Sequence, residues 1–169
     1  MVIGFAKRSA VVVAAGAGLL GLSMVGALSS TATADATLVL YEHDTSQNTM
    51  DRGTAGPSPG DQFTFTGDVF DRPGGALLGS ATGMCTTLTG DATAGASTCN
   101  VTFTLDGGQI VVQSLLDNGA TFVRGEPNPL SIVGGTGIYR TARGDGTMQV
   151  PVDVPDQTDA NFVLGVVTA

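Results

Sequence analysis

A strict alternation of apolar and polar residues over 98–105 constrains the fold of this chain more than any other feature. Cys99, Val101, Phe103 and Leu105 take every second place, with Thr98, Asn100, Thr102 and Thr104 between them. Successive side chains of an extended backbone point to opposite sides, so this run has one apolar face and one wet face. Phe63, Phe65 and Val69 alternate with Gln62, Thr64, Thr66 and Asp68 in the same way, and Phe162, Leu164 and Val166 repeat the pattern near the end. No stretch after the first thirty-odd residues keeps a helical period, so an all-β fold without helices is expected.

Turn chemistry cuts the pattern into pieces. Arg72-Pro73-Gly74-Gly75, Asp106-Gly107-Gly108 and Asp117-Asn118-Gly119 each read as a reversal. Eight strands are predicted, over 37–44, 61–70, 77–88, 98–105, 109–116, 129–133, 138–150 and 160–168, with 45–60 as one long loop. Short strands joined by tight turns favour an antiparallel meander, and closure into a barrel removes its exposed edges. Periodicity alone leaves a two-sheet sandwich open.

The first 34 residues stand apart. Lys7 and Arg8 precede an apolar, Ala- and Gly-rich stretch from Val11 to about Leu28, and Ala32-Thr33-Ala34 supplies a small-x-small cleavage pattern. This reads as a secretory signal peptide; a membrane anchor is the alternative, and no cysteine follows to carry a lipid. Cleavage leaves residues 35–169, enough for one domain, in a secreted, extracellular chain with no stable membrane insertion. That part holds all fifteen acidic residues against five arginines, a net charge of −10, and no lysine. Such a surface repels phosphate backbones, so no nucleic-acid partner is expected. Cys85 and Cys99, the two cysteines of an exported chain, are expected to form a disulfide.

The candidate motifs are mostly eliminated on inspection. Gly134-Gly135-Thr136-Gly137 lacks the third glycine and following helix of a dinucleotide loop, and the Gly-Lys-Ser/Thr of a phosphate loop. It reads as a bend between strands. Arg143-Gly144-Asp145 falls inside a predicted strand and reads as coincidence. The chain has one histidine, His43, and no G-x-S-x-G, so a serine-hydrolase triad cannot be assembled. Neither can a metal site from Glu42, His43 and Asp44, because alternation puts His43 on the face opposite the two acids. No metal or cofactor is expected. Glu42 and Asp44 do share a face with Leu38 and Leu40. If the apolar residues point inward, both carboxyls enter the barrel, where desolvation raises their pKa towards acid–base use; if the strand ends at the mouth, both are solvated.

Several stretches in order resemble the allene oxide cyclase barrel and the dirigent proteins. Leu40-Tyr41-Glu42-His43-Asp44 is similar to the first strand of both, and Gly60-Asp61-Gln62-Phe63-Thr64-Phe65 to the second. The run from Gly79 to Thr86 resembles the cyclase Gly-Leu-Cys segment. Residues 132–144, IVGGTGIYRTARG, are close to the dirigent V-V-G-G-T-G-x-F-R-x-A-R-G signature. The resemblance implies an eight-stranded antiparallel closed barrel around an apolar cavity, often a trimer. It places Glu42 on the cyclase carboxylate proposed to act on an epoxide, Asp44 on the dirigent aspartate proposed to handle protons, and Cys85 on the cyclase cavity cysteine.

The departures matter too. Asn128 and Thr121 stand where dirigents carry an arginine and an aspartate, and Cys85 and Thr87 where they carry tyrosines. Neither catalytic set is complete, and Arg124 is the candidate to replace the missing arginine. The expected partner is a small apolar molecule. Glu42 and Asp44 are the candidate catalytic pair, with Leu40, Phe63, Phe65, Phe103 and Arg124 around the ligand. With no tryptophan and two tyrosines, heavy aromatic stacking on that ligand is not expected, and the six phenylalanines after Phe5 are assigned to the core.

Overall fold

The computed structural model describes residues 35–153 and 159–168; the signal-peptide reading of 1–34 lies outside them. Eight strands close into one barrel: β1 (Ala36–Met50), β2 (Gln62–Phe70), β3 (Leu77–Gly90), β4 (Gly95–Leu105), β5 (Gly108–Asp117), β6 (Asn128–Gly135), β7 (Arg143–Gln149) and β8 (Asp159–Val167). Each pairs antiparallel with its neighbours in sequence, and β1 closes the ring on β8. The sandwich alternative is thereby excluded.

β1 is the strand on which the rest depends. Ala36 to His43 pair with β8, while Tyr41 to Met50 pair with β2. The stagger is what a closed sheet requires. Only 41–43 is hydrogen-bonded to strands on both sides, and Glu42 is its middle residue. Beyond it, the pairing skips Thr45: Asp44 faces Gly67, and Ser46 faces Thr66. This bulge reverses the parity of the strand. Glu42 and Asp44 point inward before it, and Gln47 and Thr49 after it, opposite Phe65 and Phe63. The predicted loop over 45–60 is thus strand as far as Met50.

Two further expectations are corrected. Ile138 and Tyr139 belong to a 3-10 turn over Gly137–Tyr139, not to β7. Gly137 sits at φ +60°, and a Cβ there would lie 2.0 Å from the Gly107 carbonyl oxygen, so only glycine fits the bend. The reversal predicted at Asp117-Asn118-Gly119 opens a π-helical turn over Gly119–Val123 instead. Asn118 is fully buried there, and its Nδ2 donates to the Asp91 carbonyl.

One end of the barrel is packed shut. Leu40, Val69, Phe103, Ile110 and Leu164 are buried together, and the Phe103 and Phe162 rings meet edge to face at 4.9 Å. Cys85 and Cys99 face each other across β3 and β4 and form the disulfide, closing a loop of sequence separation 14. Loop closure of that length is worth roughly 3 kcal/mol of unfolded-state entropy. A double Cys85→Ala/Cys99→Ala variant is therefore expected to lose about that much stability in urea titration, with its strand content unchanged by circular dichroism.

Candidate functional site

The other end is open. A mouth of about 400 Å³, bordered by Thr49, Asp51, Pro57, Asp61, Asp91 and Phe122, leads past Phe63, Cys85 and Phe122 into a narrower chamber of about 60 Å³. The chamber wall is apolar: Val101, Val112, Leu116, Leu130, Met148 and Phe162 all face it. Into this wall β1 delivers Glu42 and Asp44. Both line the chamber, Glu42 buried and Asp44 half-buried.

Glu42 is 3% exposed, and its Oε1 receives no hydrogen bond from a protein donor. Burial, first, then a hydrogen bond to Asp44 and repulsion from Asp44 and Asp159, raise its pKa far above the ordinary carboxylate range. Glu42 is accordingly a neutral acid at pH 7. The second oxygen of Asp44, Oδ2, accepts a 2.7 Å bond from Gln47 Nε2. A chain of three polar side chains thus runs along the inner face of β1 from chamber to mouth. The bulge at Thr45 is what places Gln47 on that face.

Behind the pair, Asp159 braces the seam between β8 and β1. Its Oδ1 lies 2.7 Å from His43 Nδ1, and its Oδ2 accepts the Tyr41 hydroxyl. Burial and the adjoining Asp159 push the Tyr41 hydroxyl up to about 12, so it remains a donor throughout the physiological range. His43 is opposite Asp159 in the ladder, on the face away from Glu42, as alternation predicts.

The predicted ligand shell divides. Phe63 and Phe65 line the cavity, with ring centroids 5.8 Å apart, and the Phe65 ring lies over Gly83, where a Cβ would fall 2.1 Å from it. Leu40 and Phe103 do not border it; they lie deeper, in the packed end. Arg124 is exposed at the end of the helical turn and binds Glu126 Oε1 at 2.6 Å, so it does not replace an interior arginine. Cys85 and Cys99 border the chamber as a disulfide, which leaves no thiol there to react. Phe122, Gln47 and Asp159 were not among the sequence candidates. Phe122 in the helical turn joins the expected Phe63 and Phe65, which brings the cavity-lining phenylalanines near the mouth to three. Among the described residues, no three His, Cys, Asp or Glu side chains group as a metal site.

A family model described as the allene oxide cyclase barrel-like domain matches residues 39–164. Among solved structures, a pyocyanin demethylase is 25% identical, with a TM-score of 0.63 over 78% of this chain and 100% of that one. The Diels-Alderase AbmU from Streptomyces koyangensis is 21% identical, with a TM-score of 0.63 over 79% of this chain and 64% of its own length. The pterocarpan synthase dirigent protein PsPTS1 is 17% identical, with a TM-score of 0.62 over 78% and 93%. No curated protein sequence matches the chain.

Proposed function

Because the chain belongs to the allene oxide cyclase barrel-like family, we propose that it encloses a small, mostly apolar ligand and directs its isomerisation or cyclisation, with Glu42 and Asp44 as the acid–base pair. The observation that carries this reading is the neutral Glu42 carboxyl, buried in an apolar chamber with Oε1 unpartnered. A protein gains no stability from burying an acid that way, whereas a general acid needs its proton held near working pH and away from water. Glu42 would give its proton to a ligand oxygen while Asp44 takes one from a neighbouring atom. The proton count is then unchanged over an isomerisation, and no cofactor is consumed. Confinement by the apolar wall and the phenylalanines holds the ligand near its reacting shape, which lowers the entropic part of the barrier. Barrels of this architecture among the solved structures include a Diels-Alderase and a dirigent protein, which supports small-molecule chemistry here.

The mouth alone, at about 400 Å³, is large enough to hold a ligand that never reaches Glu42, and this favours a carrier as the second reading. Mass spectrometry of compounds that copurify with the protein supplies the substrate for the test. Glu42→Gln and Asp44→Asn are each expected to cut its turnover at least 100-fold while binding changes less than threefold. Full turnover in both variants overturns the enzymatic reading, and stoichiometric binding without turnover in the wild type establishes the carrier. The apolar stretch before Ala32-Thr33-Ala34 and the disulfide support an extracellular site of action; a mature N-terminus at Asp35 in the culture medium is the expected result.

A further inference from the structure

Every titratable side chain that lines the cavity among the described residues is an acid, and of these Glu42 is held neutral. Asp51, Asp61 and Asp91 border its mouth, and Glu42, Asp44 and Asp159 border its chamber. No lysine, arginine or histidine among the described residues lines either space. The nearby cations are committed elsewhere: the Arg52 guanidinium is exposed and turned towards Met50 Sδ, Arg124 binds Glu126, and His43 binds Asp159 from the outer face. At the neck between mouth and chamber stand the rings of Phe63 and Phe122, with Phe65 just inside.

From this arrangement we propose that the cavity takes a ligand bearing an organic cation, seated at the neck between the phenylalanine faces and the mouth carboxylates, and that it rejects carboxylate-bearing ligands. The proposal rests on reading the barrel as a ligand site and adds the charge class of its occupant. Aromatic faces and carboxylates both attract a cation, and the attraction strengthens where apolar walls displace water. An anion meets the same groups as repulsion, with no counter-charge to receive it.

General acidity of the chain does not account for the pattern. Asp61 accepts the backbone N–H groups of Arg52 and Ser58, and Asp91 those of Thr93 and Ala94; these bonds hold both carboxyls below the usual range and keep them charged. A solubilising surface has no need to bury a further acid, Glu42, with its Oε1 unpartnered beneath them.

Three naphthyl probes of near-identical shape test the proposal on the full mature chain: 1-naphthylmethylammonium, 1-naphthalenemethanol and 1-naphthoate, each followed by its own fluorescence. The ammonium is expected to bind at least tenfold more tightly than the carboxylate, and the gap is expected to narrow in 0.5 M salt, where exposed charges are screened. A carboxylate that binds within tenfold of the ammonium, or better, overturns the charge assignment while leaving the ligand site standing. Failure of all three probes to bind overturns the ligand-site reading itself. A gap that survives high salt unchanged rejects the mouth carboxylates as its source.

Discussion

Replacing Glu42 with glutamine is expected to make the barrel more stable as the pH rises, even as it removes the proposed acid. The folded chain holds Glu42 protonated, while the unfolded chain releases that proton near the ordinary value of 4.5. Between those limits the folded state binds one proton more than the unfolded state. Wild-type stability therefore contains a contribution that is whole below the unfolded value and falls with rising pH, by up to about 1.4 kcal/mol per unit, until the folded group itself ionises. Glutamine keeps the shape of the protonated acid and can donate to Asp44 as the acid does, yet it has nothing to lose. Urea titrations of the two proteins should nearly coincide at pH 4 and diverge at pH 7 and 9, with the variant the more stable. Parallel pH profiles would show that Glu42 ionises normally and would remove the basis for calling it an acid.

Gly67 should be the least tolerant position near the pair. It faces Asp44 across the β1–β2 ladder, and a Cβ there would lie 1.9 Å from Glu42 Oε1 and 2.6 Å from the His43 carbonyl oxygen. The side chain could yield only by leaving Asp44, and the backbone oxygen is fixed by pairing on both sides. Gly67→Ala is thus expected to cost about 1–3 kcal/mol, as overpacking does elsewhere, and to disarm the site in the same step. Adding Glu42→Ala removes the nearer obstacle but not the carbonyl, so the double variant should recover part of the loss. A coupling of at least 0.5 kcal/mol between the two changes is the expected reading of the four-protein cycle; additive losses would mean that Glu42 does not occupy that space.

The strands that alternate cleanly were legible from the sequence almost to the residue. β2 and β8 lie within a residue of the prediction at each end, because apolar and polar residues alternate along them, while β4 begins three residues before its alternation, at Gly95. The second half of β1 was not legible. Its polar run, Thr45 to Thr49, shows no alternation once a bulge has swapped the faces, and Gln47 was hidden with it. Ile138 and Tyr139 have strand-like side chains in a helical turn, since Gly137 dictates the backbone there. The acids themselves were legible because they continue the parity of Leu38 and Leu40. Depth was not: Leu40 and Phe103 share the inward face with Phe63 and Phe65, and only the stagger of the strands decides which pair lines the cavity and which fills the sealed end. Asp159 is not legible in the sequence because what matters is its place beside His43, a neighbour 116 residues away in the chain.

That distance has a consequence for how the protein comes into being. The first strand synthesised must wait for the last, since residues 36–40 find their ladder partners only in 162–166, and 41–43 find their second partners only in 159–161. Pairings so remote in sequence form late and slowly. Until the ring closes, the β8 side of Glu42 has no partner to cover it, and its carboxyl is expected to ionise as an ordinary glutamate does. Its chemistry is therefore acquired at the final step of folding, and a nascent or truncated chain should carry an ordinary acid in its place.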